Sequence, residues 1–212
     1  MPANEWNPSK KLGDPEKKLT RREFLKSAGV VAGGAAIASL ALASGCGVPA
    51  TTDKDTSPGV AFTYVPPAVL PTLLDVPGCF TKVAADRLYS IEHIWVKSFP
   101  NDIAVIGVTD KLQALIANVT QIYFLPVGST IAHGEGFGNL EGQKTNVQLI
   151  SPVSGKVIQA NTPLLDVDQS KPGPINVDPY GNGWMIAVRL SKPEELKELI
   201  APEDYVKLTA KE

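Results

Sequence analysis

From Tyr89 onward the chain consists of short apolar runs, each rich in β-branched or aromatic residues and each cut off by a turn signal. The runs are Ile94-Trp95-Val96, Ile103 to Val108, Val119 to Phe124, Val147 to Ile150, Lys156-Val157-Ile158 and Trp184 to Val188. Such stretches suit a pleated, half-buried surface and are too short for core helices. Between them stand Phe99 to Asp102, Pro126 to Gly128, Gly134 to Gly138, Pro152 to Gly155 and Pro179 to Gly183, built from residues that set turn geometry. The 18 Pro and 18 Gly point the same way. A mainly β fold follows, a small barrel or sandwich. Two helical exceptions are expected. Thr109 and Asp110 cap a short helix carrying Leu112, Leu115 and Ile116. Ser191 caps a final one with Pro193 early, Glu194 and Glu195 in the first turn, and Leu196, Leu199 and Ile200 on one face.

The first 46 residues obey different rules. They hold seven Lys/Arg against four Asp/Glu, whereas the remainder holds 13 against 18. The body therefore lacks the basic field that nucleic-acid binding needs. Arg21-Arg22-Glu23-Phe24-Leu25-Lys26 precedes 26 residues, Ser27 to Thr52, without a charge. A positive region, a weakly apolar stretch and small residues before Cys46 are the order of a signal peptide. The Arg21-Arg22 pair resembles the twin-arginine export motif, and Leu42 to Cys46 resembles a lipobox in which Cys46 is lipidated. A retained transmembrane helix is the alternative, since about 20 residues span a bilayer core, but four glycines weaken such a helix. The expected location is the extracytoplasmic face of the cytoplasmic membrane. Residues 47–67 have linker composition, and residues 47–88 form a linker and N-terminal extension ahead of a folded domain at 89–212.

Across that domain a series of motifs falls in a recognisable order. Tyr89 to Val96 is followed by Ile106-Gly107-Val108-Thr109-Asp110, Leu125-Pro126-Val127-Gly128 and Gly134 to Gly138. Then come Glu141 to Lys144, Ser151-Pro152-Val153-Ser154-Gly155 and Asn176 to Trp184. Together they resemble the glycine cleavage H-protein, with Tyr89 to Val96 as its opening strand. The resemblance implies the barrel-sandwich hybrid fold of lipoyl-carrying domains, with short capping helices and a C-terminal helix. It also implies that Lys144 is the site of covalent lipoic acid and that Glu141 flanks it for recognition. The implied partners are a lipoate-attaching enzyme and either glycine-cleavage-type enzymes or a partner oxidoreductase.

The residues around Lys144 fit that role on their own terms. Gly142 and Asn146 are turn formers between two apolar stretches, which places Lys144 near a hairpin tip. A carrier lysine needs such a tip, because a long arm must reach several partners while the cofactor does the chemistry. The other candidates are poorer. His93 and His133 are the only histidines, and two cysteines cannot build a zinc site, so no metal is expected. Gly134 to Gly138 lacks dinucleotide-loop spacing, and Glu135 would repel phosphate. Cys79 is expected as a free thiol once Cys46 is lipidated. Nothing pairs a nucleophile with a base, so the chain is read as a carrier and not an enzyme. The competing reading is an interaction module of the same fold without lipoate, acting as an accessory subunit at the membrane surface.

Overall fold

A computed structural model describes residues 62–69 and 71–212. Among them the strands are β1 (Leu73–Asp75), β2 (Lys82–Ala84), β3 (Leu88–Tyr89), β4 (Ile94–Phe99), β5 (Ile103–Val108) and β6 (Val119–Phe124). They continue with β7 (Thr130–Ile131), β8 (Gly136–Gly142), β9 (Asn146–Ile150), β10 (Gly155–Ala160) and β11 (Trp184–Leu190). The α-helices are α1 (Asp110–Ile116), α2 (Pro174–Val177) and α3 (Pro202–Thr209), with 3-10 turns at Thr162–Leu165 and Pro193–Glu198. Antiparallel pairing gives a six-stranded sheet in the order β3-β4-β5-β11-β10-β7, a three-stranded sheet β6-β8-β9, and the separate hairpin β1-β2.

The two larger sheets share a core. On β5, Ala104, Ile106 and Val108 meet Ile122, Phe124, Leu140 and Leu149 of the smaller sheet. Val105 turns to the opposite face, among Trp95, Trp184 and Ala187. All six residues of β5 are buried because it pairs with β4 and β11 and is covered on both faces. That is why its sequence is an unbroken apolar run with no polar alternation. In β11 a register shift between Trp184 and Ile186 lets both Met185 and Ile186 enter the inner core.

The outer face of the six-stranded sheet is closed by the segment that precedes it. Tyr64, Val76, Val83 and Ala84 are buried there against Trp95, Val105 and Trp184. The Gln159 side chain grips Tyr64, accepting from its N–H at 2.6 Å and donating to its carbonyl at 3.2 Å. Tyr180 Oη donates to Lys82 O at 2.7 Å, and Lys82 N donates to Asp110 Oδ2 at 2.7 Å. So the stretch of linker composition gives way to packed structure by Tyr64.

Three local expectations need correction. Tyr89 to Val96 is two strands and not one: a turn over Ser90–His93, closed by Ser90 N to Ile94 O at 2.9 Å, separates β3 from β4. His93 occupies that turn with φ 63°, so it is no strand residue. Gly134 to Gly138 is a turn only at its start, since β8 begins at Gly136. Gly136 and Gly138 belong to a bulged strand, where a Cβ on Gly138 would fall 2.4 Å from Tyr123 O. The segment after Ser191 is a 3-10 turn whose N-cap position is Lys192. Pro202 then forces Ala201 into an extended conformation and starts α3 afresh. By contrast Thr109 caps α1 as expected, its Oγ1 accepting from Leu112 N at 3.2 Å. No helix among the described residues is long and apolar enough to cross a membrane. Arg21, Arg22 and Cys46 lie outside the described residues.

Candidate functional site

Strands β8 and β9 form a hairpin with Glu141 opposite Asn146 in its last register pair. Gly142 N donates to Thr145 O at 3.0 Å and closes the tip, which leaves Gln143, Lys144 and Thr145 exposed. Lys144 makes no ion pair with any described residue. Its amine therefore stands in solvent. The backbone beneath it is held. Gln143 N donates to Asn118 O at 3.1 Å and Lys144 N to Ile116 O at 3.4 Å, so the tip leans on the end of α1. Close approach requires glycine at 142, where a Cβ would sit 2.0 Å from Ile116 Cγ2 and 2.5 Å from Ile116 O.

The register puts Gln121, Glu141 and Asn146 in one cross-strand row and Tyr123, Asn139 and Gln148 in the next. Each row faces away from the core that Ile122, Leu140 and Leu149 enter. Glu141 thus lies beside the tip on the outer face, half-buried, with Thr120 Oγ1 donating to its backbone carbonyl at 3.1 Å. Lys144 and Glu141, paired in the sequence reading, are neighbours on one hairpin.

The Ser-Pro-Val-Ser-Gly turn that follows β9 is buried throughout. Ser154 donates from its N–H to Glu195 Oε2 at 2.5 Å and from its hydroxyl to Glu195 Oε1 at 2.8 Å. His133 N donates to Ser154 Oγ at 3.0 Å, and Gly134 N to Ser151 O at 2.8 Å. This turn carries the chain from β9 in one sheet to β10 in the other, and Glu195 pins the crossover at its β10 end. In the sequence the buried Glu195 shows only as a first-turn carboxylate. Asn176, which holds the connection beneath the tip, entered only as one letter of a longer motif.

His93 Nδ1 lies 2.7 Å from Tyr205 Oη and its Nε2 lies 3.4 Å from Glu212 Oε2. Burial pushes His93 below the usual imidazole range, with Lys111 acting in the same direction and Glu212 against it. Burial likewise raises the Tyr205 phenol, which stays protonated. No group of three or more His, Cys, Asp or Glu able to hold a metal occurs among the described residues. Cys79 is half-buried at the edge of the outer core and forms no disulfide among the described residues.

A two-layer β fold that offers an exposed lysine on a braced hairpin tip is the architecture of a group-carrying domain. The family model described as "Glycine cleavage H-protein" matches residues 87–212, and this chain belongs to the glycine cleavage H-protein family. Its members are carriers that work with partner enzymes. The chain is 42% identical over 130 residues to a glycine cleavage system H protein of Carboxydothermus hydrogenoformans, covering 61% of this chain and 96% of that one. It is 37% identical over 134 residues to mitochondrial glycine cleavage system H protein 3 of Arabidopsis thaliana, covering 63% and 78%. Among solved structures, the glycine cleavage system H protein of Mycobacterium marinum superposes with a TM-score of 0.54 at 28% identity. That match covers 60% of this chain and 98% of the other. Residues 62–69 and 71–86, which help close the outer sheet face, precede the family match.

Proposed function

We propose that this protein is an exported, membrane-anchored carrier that holds lipoate as an amide on Lys144 and works with partner enzymes. The observation that carries the reading is the tip itself: Lys144 is exposed, unpaired among the described residues and fixed through its backbone, inside the family-matched span. The residues fit the group. A primary amine in solvent can be acylated without leaving a buried charge behind, and a braced tip presents the same geometry to each visiting enzyme. Attached lipoate supplies the redox and group-carrying chemistry of its dithiolane. The chain's own part is to offer the Nζ, hold its backbone on α1, and place Glu141 on the adjoining outer face. Glu141 is assigned to recognition by the lipoate-attaching enzyme, whose cationic side chains it would meet at the rim of the tip.

The Arg21-Arg22 pair and Cys46 support export by the twin-arginine route and anchoring through lipid on the cysteine. An exported arm would carry reducing equivalents to an oxidoreductase; a cytoplasmic one would carry an aminomethyl group between glycine-cleavage enzymes. The amide-rich flanks Gln143 and Asn146 favour one second reading, an accessory interaction module at the membrane surface that carries no lipoate. Intact-mass and peptide mass spectrometry of protein purified from its native host separates the two. Lipoyl-amide mass on Lys144 is expected, and an unmodified lysine in that material leaves the interaction module.

A further inference from the structure

The connection from α1 to β6 is held in a conformation its own sequence disfavours. Ala117 ends α1 with φ 64° and ψ −145°, a region glycine enters freely and alanine does not. Such strain persists only where surrounding contacts enforce it. Here they come from Asn176, on α2. Its Nδ2 donates to Ala117 O at 2.8 Å and to Gln113 Oε1 at 3.2 Å, and its Oδ1 accepts from Val119 N at 3.1 Å. One amide side chain thus spans the strained residue, bonding to the peptide groups on its C-terminal side and to α1 before it.

The two residues that flank Ala117 are the ones that receive the carrier tip. Ile116 O accepts from Lys144 N and Asn118 O from Gln143 N. The orientation of both carbonyls depends on the Ala117 dihedrals, so a change there re-aims the supports under Lys144. Gly142 adds a steric constraint, since its missing Cβ is what lets the tip lie against Ile116.

We infer that Asn176 is a positioning residue for the modification site: it holds the strained Ala117 connection, which in turn sets the height and direction from which Lys144 is presented to the enzyme that acylates it. The inference rests on the proposed role of Lys144. It adds a residue 32 positions away in sequence that touches neither the lysine nor its flanks. Asn176 acts through two backbone carbonyls and makes no contact with the arm.

The test uses the full chain with two variants, Asn176→Ala and Asn176→Asp. The aspartate keeps the acceptor for Val119 N, loses both donated bonds and sets a carboxylate oxygen against Ala117 O and Gln113 Oε1, so it releases Ala117 at unchanged side-chain volume. Two readouts are taken at a temperature where every variant is fully folded. One is hydrogen exchange at the Gln143 and Lys144 amides. The other is kcat/KM for lipoate attachment by a lipoate-attaching enzyme. Faster exchange at both tip amides is expected in both variants. Attachment should fall on the order of tenfold or more, because misplacing a reacting group by about 1 Å can cost a hundredfold. Adding Ala117→Gly to Asn176→Asp should recover much of the loss, since glycine needs no enforcement at that φ. Unchanged tip exchange with unchanged attachment overturns the inference, as does a loss that Ala117→Gly leaves untouched. If the unsubstituted chain accepts no lipoate, the carrier reading fails separately. The exchange result then decides the strut alone: faster tip exchange upholds it and unchanged exchange removes it.

Discussion

Replacing Glu195 by Gln removes one negative charge and exchanges one acceptor oxygen for an NH2 group, with almost no change in volume. In the fold that carboxylate accepts from both the Ser154 N–H and the Ser154 hydroxyl, at 2.5 and 2.8 Å. Glutamine can satisfy only one of them. If its oxygen takes the backbone N–H, its amino group faces a Ser154 Oγ that already accepts from His133 N. The hydroxyl proton then loses its acceptor. If the amide is turned the other way, two N–H donors oppose each other. One hydrogen bond to a charged acceptor is lost at a buried site, which costs about 1.5–3 kcal/mol. For a folded body of this size that corresponds to a drop in Tm of about 4–10 °C. Thermal and urea unfolding of Glu195→Gln measure it, with Glu194→Gln as the control. Glu194 is exposed, and its substitution should stay within about 0.5 kcal/mol. Equal Tm values for Glu195→Gln and the parent would refute the claim that this carboxylate pins the crossover between the sheets.

Other outcomes follow from the same contacts. Lys144→Arg keeps the charge of an exposed tip residue, so stability should change by less than about 0.5 kcal/mol while lipoate attachment is abolished, read by intact mass. Gly142→Ala drives a methyl into Ile116 and should destabilise by about 1–3 kcal/mol, with faster exchange at the Lys144 amide as the local signature. His93 is held below its ordinary value of about 6.5, so its neutral form is favoured by folding. Its contribution is complete above that ordinary value. It is lost as pH falls through it and levels off below the depressed folded value. His93→Asn, which tolerates the positive φ, should therefore lose less stability between pH 7.5 and 5 than the parent, measured by urea unfolding at each pH. Changing Arg21 and Arg22 together to Lys should stop export, scored by fractionation of the native host; normal export would assign the segment to a different route.

The sequence was most readable where a strand runs unbroken between two turns. Ile103–Val108 and Val119–Phe124 have the same bounds in the sequence reading and in the fold: the first is an apolar run because β5 is paired on both edges and covered on both faces, and the second alternates because β6 packs one face on the core. Elsewhere backbone demands disguised the pattern. Strand β8 carries three glycines, two of them where neighbouring backbone crowds it, and so looked like a turn. Helix α3 was hidden behind Pro202, which interrupts an apolar series that otherwise reads on from Leu196. The cover over the outer sheet face is built from isolated residues such as Tyr64 and Val76, with no run long enough to show a period. At the tip, Lys144 and Glu141 were legible as residue types. The bracing was not, since carbonyls of Ile116 and Asn118 do it and every residue has a carbonyl. Only Asn176 has side-chain chemistry suited to the task, and its spacing from Lys144 carries no local signal.

The segment across the outer sheet face also decides how the domain bears mechanical load. A pull on residue 62, the direction from which any N-terminal tether acts, first meets the two-bond Gln159 grip on Tyr64 and the rings of Phe99 and Trp184 packed around it. Force entering there passes into β4, β10 and β11, interior strands of the six-stranded sheet. The hairpin that bears Lys144 belongs to the other sheet, off that line of force. Tension on the leash would thus peel the strap from its sheet before it disturbed the tip.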